Sequence, residues 1–150
     1  MATARRYAID THFYIDALRT EKGKAELNAF HAAFTPFIHL CAVVAHELLA
    51  GARGEAAARV EMGLIAPFQH RGRIFTPTFS AWKESASVLA ELVAPANWRS
   101  VTRSFVNDVL LAMACREAGV VLITNNTNDF ERIARVRKFD FVPGWPALSP

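Results

Sequence analysis

The chain has 150 residues, 52% hydrophobic and 21% charged, with a net charge of +3. That balance fits one domain (residues 1–150) with its own core, and it excludes a disordered or collagen-like chain. The most apolar runs, residues 40–45 and 109–115, are too short to cross a bilayer, and no apolar signal core follows Arg5 and Arg6, so a cytoplasmic protein is expected.

In chain order, residues 6–9 read as a strand ending at Asp10, followed by helices over 11–18 and 24–34. Residues 36–40 read as a short buried strand. The next helix, 43–52, stops near Gly51 and Gly54, where glycine suits a C-terminal cap. A helix over 55–69 is expected to be disturbed near Pro67, a short strand follows at 73–76, and Thr78 caps a helix over 78–92. Residues 104–118 form the strongest helix, with Ser104 as its N-cap and Gly119 just past its end. The apolar run 120–124, bounded by turn residues, predicts a fully buried strand. Residues 128–137 form the last helix and 139–142 the last strand, before a tail containing Pro143, Pro146 and Pro150. Strands alternating with helices predict an α/β fold, a central parallel sheet of about five short strands flanked by helices.

Cys41 and Cys115 lie inside apolar patterns and are expected as buried thiols. No Cys/His spacing resembles a zinc site, and the five histidines are scattered. Arginine concentrates at 53, 59, 71 and 73 and again at 132, 135 and 137, read most simply as solvated helix faces. The mildly basic balance permits a polyanionic partner without requiring one.

With only 14 acidic residues in the chain, acids set in apolar surroundings stand out. Glu47 falls beside Val43, Val44, Leu48 and Gly51, inside the apolar stripe of its helix. A carboxylate buried there needs a partner, a metal or a raised pKa; at a boundary position it would reach solvent instead. Asp108 opens a helix that is apolar nearly all round, where it either faces a site or compensates the helix dipole. Asp10 also reads as an N-cap, and Asp129 as the third residue of a helix capped by Asn126. Ligands of open parallel sheets bind beyond the C-terminal strand ends, which would gather Asp10 and Asp129 on one edge. Two carboxylates about 4 Å apart repel by roughly 4 kcal/mol at an effective dielectric near 20, so a converging cluster calls for a cation. All-oxygen ligands select Mg²⁺ or Mn²⁺ over zinc.

Four segments occur in order: Ile9-Asp10-Thr11, His46-Glu47-Leu48-Leu49-Ala50-Gly51, Asn107-Asp108-Val109-Leu110-Leu111-Ala112, and Leu122-Ile123-Thr124-Asn125-Asn126-Thr127-Asn128-Asp129-Phe130-Glu131. Together they resemble PIN-domain nucleases, in particular the VapC-like toxins of type II toxin–antitoxin pairs. The resemblance implies a five-stranded parallel sheet and an acidic edge that binds Mg²⁺ or Mn²⁺. Matched by position, Asp10, Glu47 and Asp108 take the places of three central acids. Asn126 stands where relatives often carry a fourth, and Asp129 follows it. Thr11, Asn107 and Thr124 match polar positions that orient ligands or water.

The implied activity is endonucleolytic hydrolysis of RNA to a 5′-phosphate and a 3′-hydroxyl, with an antitoxin that occludes the groove and a homodimeric state. Residues 62–68 are one candidate contact surface, and core packing explains their apolar character equally well. Two further readings stay open. One is a PIN-domain nuclease of RNA processing without an antitoxin; the other is a catalytically silent PIN-like scaffold that binds RNA or protein.

Overall fold

The computed structural model describes residues 4–147, so Pro150 lies outside the described residues. Five strands form one parallel sheet: β1 (Arg6–Ile9), β2 (Ile38–Cys41), β3 (Ile74–Phe75), β4 (Val120–Thr124) and β5 (Phe141–Pro143). Their order is β3-β2-β1-β4-β5, which puts the first strand at the centre. The α/β expectation holds. Because β1 is followed in space by β2 on one side and β4 on the other, the strand order reverses at β1. In an open parallel sheet that reversal opens a crevice at the C-terminal ends.

Helices cover both faces: α1 (Thr11–Arg19), α2 (Glu21–Phe34), α3 (Ala42–Gly51), α4 (Glu55–Ala58), α5 (Ala66–His70), α6 (Phe79–Leu92), α7 (Arg103–Ala118) and α8 (Thr127–Val136). The last residue of β4 and every residue before it in that strand are buried, as expected of a strand covered on both sides. The middle of α7 is buried all round, from Asp108 to Cys115, and packs on α6, α8 and β4. Its C-terminus closes on Gly119, whose φ of 65° is left-handed backbone that glycine adopts without a Cβ clash. Cys41 and Cys115 are both buried and free.

Several boundaries differ from the sequence reading, each for a local reason. The N-cap of α7 is Thr102, whose hydroxyl accepts from the Phe105 amide at 3.1 Å, and not Ser104, which lies within the helix. α2 begins three residues early because the Thr20 hydroxyl caps it by accepting from the Gly23 amide at 2.9 Å. α3 ends on Ala52 in extended backbone, so no glycine cap is used there; Gly51 is its last helical residue. The helix over 55–69 is continuous but widens to π geometry over Arg59–Ile65, ahead of Pro67 and not at it. Proline has no N–H to offer the carbonyl four residues back and crowds it, and a π turn relieves both problems. Of residues 62–68, Ile65 and Phe68 belong to the core, whereas Met62 is 70% exposed.

Gly23 marks the tightest helix contact. A Cβ there would lie 2.7 Å from the backbone carbon and oxygen of Asp16, atoms that cannot swing away. Gly23→Ala is therefore expected to destabilise the protein by about 1–3 kcal/mol. Gly51→Ala, with nothing within 4 Å, should be neutral or stabilising by up to about 1 kcal/mol. Urea unfolding of the two variants checks the pair, and equal effects would contradict the contact.

Candidate active site

The crevice at the strand reversal is built from β1 and β4. Asp10 follows the last residue of β1 and caps α1: its Oδ1 accepts from the Thr11 amide at 2.8 Å. Its Oδ2 accepts from the Thr124 hydroxyl, the last residue of β4, at 2.7 Å. The Asp10 amide donates to the Ile123 carbonyl at 2.9 Å, so backbone and side chain both lock the two strand ends together. Thr124 is fully buried and Asp10 is nearly so. The Thr124 hydroxyl, having spent its proton on Asp10, accepts from the Asn126 amide at 3.0 Å.

Two further acids come from helices. Glu47 is half-buried on α3, where its Oε1 accepts from the Thr11 hydroxyl at 3.2 Å and Asn107 of α7 lies nearby. Asp108 is buried in the second turn of α7. The Asn126 Nδ2 donates to Asp108 Oδ2 and to Asp129 Oδ2, each at 3.1 Å. Asn126 is the N-cap of α8 and Asp129 its third residue, but no side-chain cap bond forms, because the amide is turned toward the acids instead. One hydrogen-bonded chain thus runs from Glu47 through Thr11, Asp10, Thr124 and Asn126 to Asp108 and Asp129. All five site residues expected from sequence fall in this chain, and Asn126 presents its nitrogen to the acids.

The electrostatics are those of crowded, desolvated acids. Burial pushes the Asp10 carboxyl up, against opposing hydrogen bonds from Thr124 and Thr11. Glu47 is raised by burial and by the charge of Asp10. Asp108 is pushed up to about 8, first by burial and then by the charges of Asp10, Glu47 and Asp129. Among the described residues, no three His, Cys, Asp or Glu side chains stand close enough together to hold a metal ion. The donor chemistry nevertheless fits a hard divalent cation. Every carboxylate here is an oxygen donor, and the repulsion that adds to burial in raising the Asp108 carboxyl is what such a cation would offset.

A cavity of about 540 Å³ opens beside Glu47, lined by His46, Arg53, Arg103, Ser104 and Asn107. Arg53 is committed, its guanidinium donating to the Ala50 and Ala52 carbonyls that end α3. Arg103, in the first turn of α7, has no hydrogen bond or ion pair to another described residue. The sequence reading did not single it out. Its only signal was its place four residues before Asn107.

A family model described as PIN domain matches residues 7–136. Among solved structures, the chain is similar to one in a DNA-bound VapBC complex from Salmonella typhimurium, with 20% identity and a TM-score of 0.62, covering 93% of this chain and 98% of that one. It is also similar to one in a toxin–antitoxin complex from Klebsiella pneumoniae (20% identity, TM-score 0.64, 94% of this chain and 99% of that one). A third, in VapBC2 from Rickettsia felis bound to a promoter DNA fragment, has 18% identity and a TM-score of 0.62 over 93% of this chain and 98% of that one. At these identities the likeness is one of fold. No curated protein matches the chain by sequence.

The raised Asp108 pKa sets a pH dependence. A carboxyl whose folded pKa exceeds its unfolded value contributes stability fully below the unfolded value, and that contribution is lost as pH rises through the folded one. With the unfolded value at 3.8 and the folded one at about 8, metal-free protein should lose stability between those limits. Asp108→Asn removes the titration and should melt higher than the parent at pH 8, by roughly 2–4 °C for each kcal/mol relieved. The gap should vanish near pH 4. Melting curves in EDTA across that range test it, and a gap that does not vary with pH would refute the assignment.

Proposed function

We propose that this chain, which belongs to the PIN domain family, is a Mg²⁺- or Mn²⁺-dependent endoribonuclease and the toxin of a toxin–antitoxin pair. The observation that carries the reading is the acidic crevice at the strand reversal, where Asp10, Glu47, Asp108, Asn126 and Asp129 are joined in one hydrogen-bonded chain and burial and three neighbouring acids push the Asp108 carboxyl up to about 8. A nuclease site needs that arrangement, because its acids must be restored by a cation and the cation in turn meets phosphate. The toxin reading rests on the fold shared with chains of toxin–antitoxin complexes.

Asp10, Glu47, Asp108 and Asp129 are the acids that would serve the ion. Since no three stand close enough to hold it as they are, side-chain turns would have to draw them together; turning the Asn126 amide at their edge would offer its oxygen. When bound, the ion supplies positive charge at the phosphodiester and makes a water more acidic. The chain's own residues do the rest. Thr124 and the Thr11 amide fix both oxygens of Asp10, so its orientation is set before substrate arrives. The Thr11 hydroxyl holds Glu47 at the rim of the cavity, where a carboxylate with a raised pKa is suited to take a proton from an attacking water. Arg103, uncommitted and beside Glu47, is placed to bind a backbone phosphate of the RNA. Because Asp108 must lose its proton to bind a cation, ion uptake should release a proton below about pH 8.

A second reading has one observation in its favour. The Asn126 amide between Asp108 and Asp129 partly quiets the acids without any ion, as a non-catalytic scaffold binding RNA or protein would require.

Purified protein, free of any partner, is expected to cleave structured RNA in Mg²⁺ or Mn²⁺ and to stop in EDTA. Asp10→Asn and Asp108→Asn should each cost at least about 100-fold in rate. Arg103→Gln should weaken RNA binding and lower its salt slope by about one. Cleavage that survives EDTA or both acid variants would sink the metal mechanism. RNA binding without any cleavage would favour the scaffold. Expression of the chain alone should slow growth, and normal growth with abundant folded protein would argue against a toxin.

A further inference from the structure

A second cavity lies away from the acids and shares no residue with them. It occupies about 610 Å³ between the α1–α2 hairpin and the π turn and α5, within the roughly 300–1,000 Å³ typical of small-molecule sites. Five cations face it, namely Arg19, Lys24, Arg59, Arg71 and Arg73, against one carboxylate, Glu21. None of the five is engaged in an ion pair or side-chain hydrogen bond among the described residues. So many like charges around one hollow repel each other, and among the residues that line it only Glu21 opposes them.

Two polar atoms in the wall point the same way. The Tyr14 hydroxyl and the His31 Nε2 are out of reach of solvent and have no hydrogen-bond partner. Tyr14 is fully buried, and an unpaired buried hydroxyl is a costly feature for a core side chain to keep. Burial lowers the His31 pKa, so its ring is neutral and offers one donor and one acceptor. The remaining wall is mostly apolar, with Ile38 and Phe68 among it and Thr20, Asn28 and Thr35 between. A ligand that satisfies all three parts carries negative charge at one end and a flat, partly polar ring at the other.

We propose that this cavity binds a nucleoside phosphate, the phosphates held by the arginine rim and the base seated against Phe68, Tyr14 and His31. The assignment is independent of the nuclease reading.

Isothermal titration calorimetry on the full chain in EDTA, which keeps ion-mediated binding out of the acidic crevice, tests it with ADP, pyrophosphate and adenosine. ADP should bind one to one, with pyrophosphate and adenosine each at least about tenfold weaker. The double variant Arg59→Gln, Arg71→Gln should weaken ADP by at least about tenfold. Tyr14→Phe removes only the unpaired hydroxyl, so it should fold as the parent does while binding ADP several-fold more weakly. The proposal is overturned if ADP does not bind, if pyrophosphate binds equally well, or if the arginine variant keeps full affinity. It is also overturned if Asp10→Asn abolishes ADP binding, which would put the ligand in the crevice, or if a short single-stranded RNA displaces ADP and binds more tightly.

Discussion

The hydrogen bond from Thr124 to Asp10 joins residues 114 positions apart and fixes the seam between β1 and β4. Both partners are buried, so the bond is made in low dielectric, where a charge-assisted contact is strong and an unmade one is expensive. The Asp10 amide reaches across the same seam to Ile123, and the strands run in register from Arg6 opposite Val120 to Ile9 opposite Ile123. A slip by one residue would turn every side chain of β1 to the opposite face. The carboxylate could then no longer meet Thr124, and Thr11 would lose its approach to Glu47. Sheet register and site geometry are therefore one constraint.

Around that seam the molecule concentrates charge it cannot solvate. Asp108 is carried by the helix with the most buried residues, and its pKa rises because there is little water to share and three acids nearby. Evolution of a stable fold alone would replace such a group with something neutral, as sites that trade stability for chemistry do not. Asn126 relieves part of the strain by donating to two carboxylates at once. The opposite imbalance lies between the α1–α2 hairpin and α5, where cations crowd and acids are scarce. The modest net charge of +3 hides both.

Much of this was legible in the residues. Alternating buried strands and helices gave the α/β class, and the run Val120–Thr124 is the buried strand its unbroken hydrophobicity implies. Asp10, Glu47 and Asp108 could be singled out because each sits where an acid is out of place or at a strand end. What the residues left hidden is what depends on distant contacts. Thr102 and Ser104 are equally good caps by type, and only backbone geometry decides for Thr102. Pro67 announces a disturbance, but relief falls on the turn before it. The direction of the Asn126 amide follows from two acids that reach it from α7 and α8, which no local pattern encodes. The cavity beside Tyr14 is assembled from α1, α2, the start of β2, the π turn, α5 and the turn before β3, none of which marks a hollow by itself.

The burial of the middle of α7 on all sides has a kinetic meaning as well. Segments open to solvent in order of their local stability, and a helix whose middle, from Asp108 to Cys115, is buried against its neighbours belongs to the last to open. Asp108 rides on that helix, while Asp10 and Thr124 close the two central strands. The crevice is thus carried by the slowest-exchanging part of the molecule. Fraying of the edge strands or of the α4–α5 stretch can come and go without disturbing the acids, and the crevice persists for as long as the chain is folded at all.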